Sequence, residues 1–204
     1  EPGEEEEEEE EEFIDYVIDE NVFVYGTTLR LTGSASVIGR NATVIITGGL
    51  KNENLGGGGD GIAVSNIYID GDVNKDSGSA GLGSPTEPGS IYINGNLTLL
   101  GGSRNIYGKV YVNGSCDLGG VIIHDNMYVN GDLTLRRNVI DFVGDARINY
   151  TGTPHLIQGV NPSTLDYCTH QATVPGFAIP DLEIPSTKPD DWYDRGNYTM
   201  EWPL

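Results

Sequence analysis

One short phrase constrains this chain more than any other feature: aliphatic, Tyr, aliphatic, Asx, Gly. It occurs as "IYIDG" from residue 67, "IYING" from 91, "VYVNG" from 110 and "MYVNG" from 127. The tyrosines, Tyr68, Tyr92, Tyr111 and Tyr128, recur 24, 19 and 17 residues apart. Repeats of that size point to a solenoid, and they are too short for helical repeats, which need about 33 residues. Each copy is also too short to bury its own apolar face, so the copies must stack.

Within a copy the residues alternate and favour strands. In Ile91-Tyr92-Ile93 the isoleucines share one face and Tyr92 takes the other. Asn94-Gly95 then offers a corner, because both residues tolerate a positive φ. A second alternation, Leu97-Thr98-Leu99, follows, and a third short strand fits at Asn105-Ile106-Tyr107. Three short strands and three corners in about 17 to 20 residues describe one coil of a three-sided parallel β-helix. A meander of hairpins would need longer strands. The unequal gaps fit insertions at corners, such as 74–90 and 49–61. Fainter copies at 21–33, 41–50 and 137–152 bring the expectation to about seven coils over residues 20–152, a rod roughly 35 Å long at the strand spacing of parallel sheets.

The flanks read differently. Residues 1–12 hold ten glutamates, half of the formal charge of −20, and this self-repelling run is expected to be disordered. The β-helix is assigned to 13–152. Residues 153–204 carry seven of the ten prolines and both tryptophans, Trp192 and Trp202. Prolines at that density exclude a central strand or a helix interior, and an extended strap over the rod or onto a neighbouring subunit is expected. The acidic body argues against nucleic acid as a partner. No apolar stretch reaches membrane-spanning length, and no signal peptide is visible.

Candidate chemical sites are sparse. Asp70, Asp72, Asn74 and Asp76 alternate like the first ligands of a calcium loop, but the loop lacks its central glycine and Gly81 stands where the closing Glu belongs. His124, His155 and His170 have neither metal nor triad spacing. Asp117, Asp132 and Asp145 fall at comparable points of successive coils, the arrangement a polysaccharide-cleaving β-helix would need if they converged, with solvated corner positions as the plainer reading. No enzyme activity, no metal and no cofactor is therefore assigned. Cys116 and Cys168 either form a disulfide tying tail to rod or stay as buried thiols. Asn41, Asn96, Asn113, Asn149 and Asn197 begin N-x-S/T sequons, which matter only in an exported chain.

The outward column Phe23, Tyr68, Tyr92, Tyr111, Tyr128 is the main surface feature. It serves sheet pairing, or it forms a contact face for a neighbouring subunit or for surface glycans. Trp192, Tyr193, Tyr198 and Trp202 are further candidate anchors for such a contact.

The stretch 91–135, "IYINGNLTLLGGSRNIYGKVYVNGSCDLGGVIIHDNMYVNGDLTL", resembles the β-helical regions of bactofilin-like polymer-forming proteins. It is more similar still to related exported domains that follow pilin-type N-terminal helices in some bacteria and archaea. The resemblance covers roughly residues 60–150. It implies a right-handed parallel β-helix that assembles into filaments or surface layers without nucleotide. The corner insertions and the Pro/Trp-rich tail depart from that pattern. The combined expectation is a self-assembling structural protein of the cell exterior, a subunit of a pilus-like filament, sheath or surface layer. The alternatives are a carbohydrate-binding or adhesive module, and behind it a polysaccharide-active enzyme.

Overall fold

A computed structural model describes residues 15–18, 22–24, 36–46, 48–51, 61–75, 78–136 and 140–176. The chain is a parallel β-solenoid of about six turns, with a single short 3-10 helix at Pro162–Tyr167 among the described residues. Among the described residues every strand pair is parallel, as stacking of successive coils requires.

Side one is the sheet that contains β2 (Val22–Val24), β3 (Ser36–Ile46), β5 (Ile62–Ile69), β7 (Ser90–Ile93), β10 (Lys109–Val112), β13 (Met127–Val129), β16 (Ile148–Tyr150) and β18 (Cys168–His170). Side two stacks β4 (Leu50–Lys51), β6 (Val73–Lys75), β8 (Leu97–Leu99), β11 (Cys116–Leu118), β14 (Leu133–Leu135) and β17 (Pro154–Leu156). Side three stacks β9 (Arg104–Ile106), β12 (Val121–Ile123) and β15 (Ile140–Phe142). Strand β1 (Asp15–Val17) pairs with the first residues of β3.

Beyond β9, side three continues through Leu82, which bridges Ile106 on one side and Ile62 on the other. The long strands β3 and β5 therefore run from side three into side one, and a bulge between Gly39 and Thr43 turns the corner. In later coils Gly108 (φ 89°), or the stretch His124-Asp125-Asn126, breaks the strand there. The stacks also run past the boundary expected at residue 152: β17 pairs with β14, and β18 with β16.

Alternation decides what is buried. On side one Ile67, Ile91, Val110, Met127 and Ile148 align rung upon rung, as do Ile69, Ile93, Val112, Val129 and Tyr150. On side two Val73, Leu97, Cys116 and Leu133 form another inner column. These residues make one continuous interior from which water is excluded; burying side chains of this size contributes roughly 1.5–3 kcal/mol each.

Candidate functional site

The four Asx-Gly pairs stack at the corner between sides one and two, and their side chains are bonded to one another. Asn94 Nδ2 donates to Asp70 Oδ1 at 2.8 Å, Asn113 Nδ2 to Asn94 Oδ1 at 2.9 Å, and Asn130 Nδ2 to Asn113 Oδ1 at 3.1 Å. Thr151 Oγ1 donates to Asn130 Oδ1 at 3.3 Å and ends the ladder. A second ladder runs two residues later. Backbone N–H groups of Asn96 and Ser115 donate to Asp72 Oδ1 and Asn96 Oδ1, at 2.7 and 2.9 Å, and Thr153 N donates to Asp132 Oδ1 at 2.7 Å.

The glycine between the two ladders has a different cause from the one read in the sequence. Of the four corner glycines only Gly71 has a φ in the left-handed half of the map, at 144°. What excludes a side chain is the rung below. A Cβ on Gly95 would lie 2.6 Å from the carbonyl oxygen of Gly71, and one on Gly131 would lie 2.5 Å from that of Gly114. Gly114 meets the Gly95 carbonyl in the same way.

The ladders account for several sequence candidates. Asp70 and Asp72 spend an oxygen each on the rung above, and Asn74 faces outward on side two; Asp76 lies outside the described residues. Among the described residues no group of three or more His, Cys, Asp or Glu side chains is placed to hold a metal ion. Of the sequon asparagines, Asn96 and Asn113 are ladder members, and Asn149 Oδ1 accepts from Gln171 Nε2 at 3.2 Å. Asn41 falls within β3, and Asn197 lies outside the described residues, as do Trp192, Tyr193, Tyr198 and Trp202.

Asp117, Asp132 and Asp145 do not converge, because they sit at different phases of the coil. Asp117 points out from side two and takes a two-pronged ion pair from Arg136, at 2.7 and 2.6 Å. Asp132 belongs to the corner, and Asp145 is exposed in the turn after side three. The histidines are scattered too. His124 Nε2 meets Asn105 Oδ1 at 2.8 Å and its ring lies 4.2 Å from that of Tyr107; partial burial holds its pKa below the ordinary imidazole value. His155 lies 3.8 Å from Asp132. His170 Nε2 lies 3.1 Å from the Thr151 carbonyl oxygen.

The cysteine bond is not formed: both thiols are free. Cys116 lies in the coil that starts with β10, and Cys168 lies in β18, three rungs further along side one. At about 4.8 Å per rung that separation exceeds the ~7 Å that a disulfide's Cα atoms tolerate. Each thiol serves the interior instead. Cys116 continues the side-two aliphatic column, where burial pushes its pKa far up. Cys168 follows Ile148 on side one and donates to Thr164 O at 3.4 Å.

The aromatic column has the expected register: Phe23, Ile45, Tyr68, Tyr92, Tyr111 and Tyr128 align across successive rungs, with Ile45 interposed. Tyr68 is buried, whereas Tyr92, Tyr111 and Tyr128 are half-buried. Tyr111 and Tyr128 stack with ring centroids 5.2 Å apart and planes inclined by 29°. Tyr111 and Tyr128 therefore turn their faces toward one another along the rod. A cleft of about 400 Å3 lies over Tyr92, Tyr111 and Tyr128, bounded by Asn113 and Asn130 of the ladder and by the chain at 172–176.

Two residues that the sequence reading passed over occupy the interior. Lys75 stands in the side-two column otherwise filled by Leu99, Leu118 and Leu135, and Arg104 stands in the side-three column with Val121 and Ile140. Both are fully buried. Lys75 Nζ donates to Ala80 O at 2.7 Å; Arg104 Nη2 donates to Gly78 O at 2.6 Å and to Leu100 O. The two cations thus pin the 78–83 segment, which supplies side three of its coil. Burial, then the neighbouring Arg104 guanidinium, lowers the Lys75 pKa to about 7. Aligning the copies reveals the signal: "VNK" occupies the place of "LTL" and "CDL", and "RNI" the place of "VII".

Comparison with protein-family models, with curated proteins and with solved structures finds no match. Among the described residues no helix is long and apolar enough to cross a membrane.

Proposed function

We propose that the chain is a structural subunit that works by self-association, as part of a filament, sheath or layer at the cell exterior. The observation that carries the reading is the character of the last coil. Val143, Leu156, Ile157 and Tyr167 are its exposed large apolar residues, 36–47% accessible. They lie around β15, β17 and β18, the last strands of the three stacks among the described residues; the 3-10 helix packs on β15 through Tyr167 and Phe142, and the outer edges of β17 and β18 are templates for pairing. Contacts between one end of a rod and another surface of the next copy are heterologous and give open assemblies when the rotation does not close. The likeness of the repeats to bactofilin-like polymer-forming proteins belongs to this proposal, as does the exterior location.

The test is sedimentation and negative-stain electron microscopy of the full chain, beside a variant carrying Leu156→Asp and Ile157→Asp. Ordered assemblies that the double substitution abolishes support the reading. A chain that stays monomeric at high concentration overturns it.

A carbohydrate-binding module is the second reading, and the tyrosine cleft is the feature that favours it. Its weakness is geometric. Sugar rings pack on open aromatic faces, and here Tyr111 and Tyr128 stack their faces on one another.

A further inference from the structure

Three of the four corner pairs are Asn-Gly: Asn94-Gly95, Asn113-Gly114 and Asn130-Gly131. The fold has no freedom in the second residue, because a Cβ there would meet the backbone of the rung below. Yet glycine after asparagine is the pairing that cyclises most readily. With no side chain on the next residue, its backbone nitrogen reaches the asparagine side-chain carbonyl unhindered. The three asparagines are exposed, so water has access to them. Packing has thus placed three reactive dipeptides in one column, and the amide ladder is what holds their side chains still.

That hold is graded along the rod. The backbone does not distinguish the three asparagines, since each N–H donates to the rung below at 2.8 Å. The side chains do. Asn94 donates to the Asp70 carboxylate at 2.8 Å, a charge-assisted bond of the stronger kind. Asn113 donates to an amide at 2.9 Å, and Asn130 to an amide at 3.1 Å. The last bond, from the Thr151 hydroxyl to Asn130 Oδ1, is 3.3 Å long. Local opening is easiest where the bonds are longest and uncharged, at the Thr151 end.

We infer that these corners are sites of hydrolytic deamidation that react in order from the Thr151 end: Asn130, then Asn113, then Asn94. The Gly131 nitrogen gives up its proton and bonds to Asn130 Cγ. The Cγ–Nδ2 bond breaks, ammonia leaves, and a five-membered imide remains. Water opens the imide at either carbonyl, to aspartate or to isoaspartate. One water is consumed and one ammonia released, with no change of oxidation state. The new carboxylate has no hydrogen to donate. Asn113 Oδ1 therefore loses its bond from above, and Asn113 keeps a single ladder bond, to Asn94. Each event loosens the next rung down, so the corner ages in one direction and gains one negative charge per step.

The test holds the full chain in mildly alkaline buffer and follows each corner by peptide mass spectrometry, beside a sample unfolded in urea. The unfolded sample is a fair reference. Ile93, Val112 and Val129, which precede the asparagines, are all β-branched, and the residue that follows is always glycine. The expected result is similar rates at the three corners in urea. In the folded chain Asn130 should react severalfold ahead of Asn113, with Asn94 last. Thr151→Val should speed Asn130 severalfold further and leave Asn94 unchanged. Asn130→Asp, the product of the first step, should speed Asn113 severalfold. The lowest rung already carries a carboxylate at this position, Asp70, so the corner accommodates one. Unchanged β-sheet circular dichroism separates a loosened ladder from an unfolded rod. Equal rates at the three corners of the folded chain overturn the proposal, as does an Asn113 rate that Asn130→Asp does not alter.

Discussion

Two regions of the same coils are built on opposite principles. The corner between sides one and two repeats one solution at each rung from Asp70 to Thr151: a bonded carboxylate, amide or hydroxyl, a glycine with no room for a Cβ, and a second side-chain oxygen. Side three has no repeated solution. It is supplied by a bridge through Leu82, by three short strands, and by an insertion held from inside by Lys75 and Arg104. Where each rung imposes the same constraint on the next, the sequence must repeat. Where a side only has to be filled, a unique contact suffices.

The contrast can be broken most severely at the corner. Gly114→Val drives a branched side chain into the backbone of the rung below. The expected loss is roughly 3 kcal/mol of unfolding free energy, read from a denaturant melt. Gly144→Ala is the control. Gly144 has φ 60° but nothing within 4 Å of its Cβ position, so only the backbone term is at stake, about 1 kcal/mol. Equal losses at the two positions would refute the close-approach argument.

Side three is tested through Lys75. Its folded pKa of about 7 lies below the ordinary 10.5. Above about 10.5 the amine is neutral in both states and titration costs nothing. As pH falls toward 7 the unfolded chain takes up a proton that the folded chain does not, so stability declines, and it levels off below 7. Lys75→Met should therefore flatten the stability profile between pH 7 and 10. At pH 6 it should stabilise the fold on the order of 1–3 kcal/mol, despite the lost bond to Ala80. Destabilisation at pH 6 would mean that the cation, rather than the apolar column, suits this position.

Smaller effects sharpen the comparison. Asn113→Leu removes two ladder bonds in contact with water, to Asn94 and to Asn130. It should cost roughly 1 kcal/mol in thermal melts. Arg136→Ala removes the Asp117 pair on the outside of side two and should cost well under 1 kcal/mol. If it cost more than Asn113→Leu, surface ion pairs would matter more to this rod than its corner.

The same contrast explains what could be read from the sequence. The Asx-Gly corner, the inner aliphatic columns and the tyrosine register were readable because each is repeated. The cause of the glycine was not, since a φ preference and a close approach select the same residue. Lys75 and Arg104 were missed because a cation in a strand reads as a surface residue unless the copies are aligned. The boundary expected at residue 152 falls too early because "PHL" and "CTH", the last rungs among the described residues, carry none of the repeat's grammar.

The central claim is that successive copies of the repeat lie on one another in parallel register. Hydrogen bonds at the corner carry that claim directly: Asn94 N to Ile69 O, Asn113 N to Ile93 O and Asn130 N to Val112 O, each 2.8 Å. Scalar couplings measured by NMR through those bonds report donor and acceptor without any structural assumption. The account expects all three couplings, linking residues one coil apart. Couplings that instead join each strand antiparallel to its neighbour in the chain, with the Asx-Gly pairs as hairpin turns, would contradict it.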